Sequence, residues 1–129
     1  MPRLALHLLL RTDGGASRAA ALLRAAGYLV SRIDDDGLAE RLAGAPHVDA
    51  VVVELPALAA IHFGHALAAR YGAGELVVLV ITPAADTVRR AVPAALVLTP
   101  LDLDDDLVST IDLALVARQT RSAPLLRSA

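Results

Sequence analysis

The segment Val48–Leu55 constrains this chain most, because it is apolar on both faces until Glu54. A strand in a half-exposed sheet alternates apolar and polar residues. A parallel strand covered by helices on either side instead reads as a continuous aliphatic run. Glu75–Thr82 repeats the pattern, and Leu4–Leu10, Tyr28–Ile33 and Ala95–Leu98 are shorter runs of the same character. Between them lie Ala-, Leu- and Arg-rich stretches whose spacing predicts helices. These run from Ser17 to about Ala26, over Leu38–Ala43, Ala57–Tyr71 and Asp86–Val92, and from the acidic stretch Asp102–Asp106 to about Gln119. Ser17 is placed to cap the first helix and Gly27 to end it. Asp13-Gly14-Gly15 and Asp34–Gly37 read as turns. Asp104–Asp106 suit the positive end of a helix dipole. Five strands alternating with five helices, joined by right-handed crossovers, make a (βα)5 doubly wound parallel sheet in a three-layer α/β sandwich. Residues 1–121 form this one domain, and 122–129 read as a tail or the stub of a linker.

Composition removes much chemistry. The chain has no Cys, which excludes disulfides, thiolate catalysis and Cys-based metal centres. All twelve basic residues are Arg, so no mechanism can use a lysine, and a net charge of −2 argues against a nucleic-acid surface. No apolar run is long enough to span a bilayer, and Leu4–Leu10 is too short for a signal-peptide core. The expectation is a cytoplasmic domain with no membrane partner and no direct nucleic-acid partner.

In an open parallel sheet, ligands gather at the carboxyl ends of the strands, where the strand order reverses. The residues there are Leu10, Arg11 and Asp13 after the first strand, Asp34 after the second, Glu54, Thr82 and Thr99. Glu54 stands out because it interrupts an apolar strand just before Leu55-Pro56.

Taken in order, these strand ends resemble the receiver domain of two-component response regulators, over about residues 4–120. Asp49-Ala50-Val51-Val52-Val53-Glu54-Leu55-Pro56 is similar to the phosphoacceptor strand, with Glu54 where the family carries Asp. Ile81-Thr82-Pro83 resembles the end of the fourth strand, with Thr82 at the hydroxyl position. Leu96-Val97-Leu98-Thr99-Pro100 resembles the end of the fifth, with Thr99 in place of Lys and Leu96 at the aromatic switch position. The resemblance implies a flavodoxin-like, receiver-like fold and a place in two-component signalling or a phosphorelay.

The departures imply that the site is degenerate. In the family, two acidic residues ending the first strand help to bind Mg²⁺. Alignment puts Leu10 and Arg11 there, with Asp13 two positions later. Mg²⁺ prefers hard oxygen ligands, and phosphoryl transfer depends on positioning and charge neutralisation. The expectation is therefore a pseudo-receiver that needs no metal or cofactor and is not an enzyme. Arg11 and Glu54, ending neighbouring strands, are expected to pair where metal and Asp would sit. Two alternatives stand beside this reading. One is a small flavodoxin-like enzyme or ligand-binding module using the Glu54/Thr82/Thr99 crevice. The other is a working receiver phosphorylated at an unusual residue.

Elsewhere, His62 and His65 share a helix face but lack a third ligand and an HEXXH pattern, and read as partly buried, hydrogen-bonded side chains. Asp34-Asp35-Asp36 lacks the calcium-loop pattern and reads as a turn. Asp13-Gly14-Gly15 is neither a P-loop nor a dinucleotide fingerprint, and Ser17 has no His–Asp relay beside it. On the last helix Leu107, Ile111, Ala114, Leu115 and Arg118 share the face expected to pack on the sheet. Leu113, Val116 and Ala117 form a second apolar strip left for a partner. The resemblance implies a homodimer through that helix, with Arg118 and Arg121 pairing across it with the acids of Asp102–Asp106.

Overall fold

The computed structural model describes residues 7–12, 17–33, 48–70, 76–93 and 95–128. Its strands are β1 (His7–Thr12), β2 (Leu29–Ile33), β3 (Ala50–Glu54), β4 (Val77–Ile81) and β5 (Leu96–Leu98). Its helices are α1 (Arg18–Ala25), α2 (Ala57–Arg70), α3 (Ala85–Ala91) and α4 (Leu103–Ser128), the last entered through a 3₁₀ turn at Pro100–Asp102. All neighbouring strands are parallel, in the order β2-β1-β3-β4-β5. This is the flavodoxin-like order, with its switch point between β1 and β3. The helix read over Leu38–Ala43 lies outside the described residues.

The two-residue period of each strand sorts its side chains into two cores. Leu8, Leu10, Ala50, Val52, Leu79 and Ile81 face Ala19, Ala20 and Leu23 of α1 and Leu103, Leu107, Ile111 and Leu115 of α4. Leu9, Val51, Val53, Val80 and Val97 face Ala60 and Leu67 of α2 and Ala85 and Val88 of α3. A three-layer sandwich follows, and among the described residues no helix is long and apolar enough to cross a membrane.

Helix ends follow the sequence signals in α1. The Ser17 hydroxyl accepts the Ala20 N–H at 3.1 Å, and Gly27 takes φ +100°, which L side chains rarely adopt. Two contacts clip α1 and the turn that follows it to α4. The Arg18 guanidinium meets Asp104 in a two-pronged pair, with both hydrogen bonds at 2.7 Å. The Tyr28 hydroxyl donates to Asp112 at the other end. The Arg18 pair is exposed on both sides, so it contributes about 0–1 kcal/mol. Helix α4 continues past Gln119 to Ser128 and takes in the segment read as a tail. No Gly or Pro occurs between Leu103 and Ala123 to stop it earlier.

Buried Gly64 brings α2 against Val92: an added Cβ would lie 2.9 Å and 3.0 Å from the two Val92 methyls. Alanine is the better helix former by about 1 kcal/mol, but overpacking costs about 1–3 kcal/mol. Val92 is β-branched and has little room to yield. Gly64→Ala is therefore expected to lower stability by about 1 kcal/mol in urea unfolding, and to become neutral or stabilising in a Val92→Ala background. A stabilised single variant would show that the approach is looser than described.

Candidate functional site

The switch point between β1 and β3 puts the carboxyl ends of the two most enclosed strands side by side. In this register Thr12 stands opposite Glu54, Arg11 opposite Val53 and Leu10 opposite Val52. Thr12 and Glu54 are in phase with Leu10 and Val52, so they belong to the α1/α4 face. There Glu54 Oε1 accepts two hydroxyls, from Thr12 Oγ1 at 3.2 Å and Ser17 Oγ at 3.1 Å. Both distances are at the long end for hydroxyl donors, so each bond is modest. Ser17 does two things with one oxygen, since it caps α1 through the Ala20 N–H and donates to the carboxylate. The first turn of α1 has no acidic residue of its own. Glu54 brings a negative charge to the positive end of that helix.

Arg11 does not pair with Glu54. It is in phase with Leu9, on the α2/α3 face, so the sheet separates its side chain from the carboxylate. Arg11 is 8% exposed; its guanidinium lies over the Phe63 ring, 5.3 Å from the centroid, and donates to the Thr12 carbonyl at 2.6 Å. Leu10 is also not at the site, being wholly buried within the sheet. Strand β1 ends on Arg11 and Thr12 rather than on Leu10 and Arg11. Asp13, which follows directly, and Asp34–Asp36 lie outside the described residues.

Thr82 follows β4, and its N–H donates to the Leu98 carbonyl at 3.0 Å. Its hydroxyl is fully buried and has no hydrogen-bond partner among the described residues. Thr99 is half-buried and donates to Asp102 Oδ2 at 2.7 Å, within the turn that leads into α4. Leu96 is exposed on β5. Leu107, Ile111 and Leu115 pack on the sheet, while Leu113 is 70% and Val116 58% exposed and Ala117 is exposed beside them. The side chains of Arg118 and Arg121 lie outside the described ones.

His62 and His65 correct the sequence reading. Both are exposed, because the buried stripe of α2 is Ala60, Gly64 and Leu67. No group of three or more His, Asp or Glu suited to a metal ion occurs among the described residues. Two residues of the Glu54 cluster are not evident from the sequence. Thr12 is hidden by the expectation that the strand stops at Leu10. Ser17 is legible as a cap, but nothing in the linear sequence gives its second bond. The polar pair Thr12-Asp13 just before two glycines is the signal that could have placed the strand end correctly.

No family model matches the chain, and no curated protein matches it. Among solved structures it is similar to a Burkholderia pseudomallei protein described as pilus assembly-related, with a TM-score of 0.60 and 22% identity, over 84% of this chain and 90% of that one. At that identity the likeness shows the fold alone.

The Ser17–Glu54 bond carries its own test. Ser17→Ala is expected to cost about 1–2 kcal/mol, since it removes a cap and a carboxylate donor. Ser17→Asp is as good a cap but cannot donate to Glu54 and sets a second carboxylate beside it. Thermal unfolding should show Ser17→Asp destabilised in the native background and rescued by Glu54→Gln. Native stability in Ser17→Asp alone would refute the bond.

Proposed function

We propose that this chain is an atypical receiver-like signalling domain, non-enzymatic, that acts through protein–protein contact and self-association rather than through magnesium-dependent phosphorylation. The observation that carries this reading is the register of β1 on β3. It sets Thr12, a neutral hydroxyl donor, opposite Glu54 at the switch point. Where the receiver family gathers carboxylates for a metal, the Glu54 carboxylate is held here by two hydroxyls and a helix N-terminus. The position that resembles the family's lysine is Thr99, whose hydroxyl is engaged by Asp102. The aromatic switch position is the aliphatic Leu96.

The exposed strip Leu113, Val116 and Ala117 supports the interaction half of the reading. An assembly role, of the kind given for the Burkholderia protein of this fold, is an interaction role and requires no phosphoryl chemistry. A ligand-binding module is a second reading, favoured by one observation. The Thr82 hydroxyl, just past the end of β4, is buried without a partner among the described residues, and a polar group in that state takes a water or a ligand.

The deciding experiment is titration of Mg²⁺ with beryllofluoride, followed by amide NMR. Glu54, Thr82 and Thr99 should not shift in a folded protein; saturable shifts confined to these positions would restore a working phosphorylation switch. Self-association is read by sedimentation. Leu113→Glu combined with Val116→Glu should reduce the native protein's dimer to monomer with its far-UV circular dichroism unchanged. A native protein that sediments as a monomer at high concentration would remove self-association from the proposal.

A further inference from the structure

Helix α2 presents two imidazoles to solvent from adjacent turns. His62 and His65 are both exposed, and Leu58, 84% exposed, lies one turn before them on the same stripe. At about 100° per residue the three positions fall within roughly 60° of arc. Residues three apart on a helix are neighbours, with Cβ atoms about 5–6 Å from one another. Neither imidazole has a hydrogen-bond or ion-pair partner among the described residues. His7 differs, since its Nε2 is engaged by the Ser31 hydroxyl at 2.8 Å.

The residues between the two histidines anchor the turn that carries them. Phe63 lies under the Arg11 guanidinium, and Gly64 is pressed against Val92. The backbone spacing of the imidazoles is thus set before any ligand arrives, which lowers the ordering cost of binding.

We propose that His62 and His65 together form a binding site for a divalent transition metal of the zinc, nickel and copper class. Imidazole nitrogen suits these ions, and helical side chains at i and i+3 share a metal in the Glu-x-x-His motif of carboxylate-bridged di-iron proteins. Mg²⁺ and Ca²⁺ prefer oxygen ligands, and α2 has no Asp or Glu to offer them. Two protein ligands leave the other coordination positions to water, so the site is open and exchangeable rather than a closed structural centre. This proposal uses no residue of the Glu54 cluster and stands independently of the receiver-like reading.

The test is zinc chloride titrated into the full chain, with the imidazole ring signals followed by NMR and Mg²⁺ as the control ion. His62 and His65 should shift together and saturably with Zn²⁺, remain still with Mg²⁺, and return on acidification as protons displace the metal. His62→Ala and His65→Ala should each weaken zinc binding by about ten- to hundredfold, because the second imidazole binds intramolecularly. Alanine is the better helix former at these exposed positions, so both variants keep the fold, and far-UV circular dichroism checks it. Rings unmoved at millimolar zinc would overturn the proposal. So would native zinc affinity in either variant, or shifts confined to His7.

Discussion

Everything in this fold depends on β3 being enclosed on both faces. Val51, Val52 and Val53 are fully buried, and successive side chains of a strand point to opposite sides. One strand therefore demands two helical layers. Those layers come in close because the contact positions are small, with Ala19, Ala20, Ala50, Ala60 and Ala85 all buried and Gly64 touching Val92. A core almost without aromatic rings reaches native density through near approach of backbones rather than through large side chains.

The same two-residue period decides what meets at the switch point. Adjacent residues Arg11 and Thr12 go to opposite sides of the sheet, one to an aromatic ring and one to a carboxylate. Among the described residues, the donors to the carboxylate at the centre of the site are consequently neutral hydroxyls. Hydroxyl dipoles and a helix end hold Glu54, so in these bonds its negative charge is oriented rather than paired with a cation.

The architecture was legible because long two-faced aliphatic runs have few other solutions, and α1 carried both of its end signals in Ser17 and Gly27. The details of the site were less legible. Hydropathy places the end of the first strand at Leu10, where polarity begins, yet the strand runs on through Arg11 and Thr12. Both are buried by contacts that come from far along the chain, Phe63 and Glu54, and no local pattern announces such partners. The exposure of the α2 histidines is hidden from the sequence for a related reason. Ala- and Leu-rich helices have several nearly equivalent apolar stripes, and which one turns inward is settled by packing, here the stripe of Ala60, Gly64 and Leu67.

A hydroxyl has a single proton, and Ser17 commits its own to Glu54 while its lone pair holds the start of α1. That helix meets α4 through Arg18 on Asp104, and Tyr28, just before β2, donates to Asp112, the residue just before Leu113. The exposed Arg18 pair adds little to this join, which rests on Ala19, Ala20 and Leu23 sharing one core with Leu107, Ile111 and Leu115. One serine oxygen thus sits where the end of a strand, the start of a helix and the core beneath α4 meet.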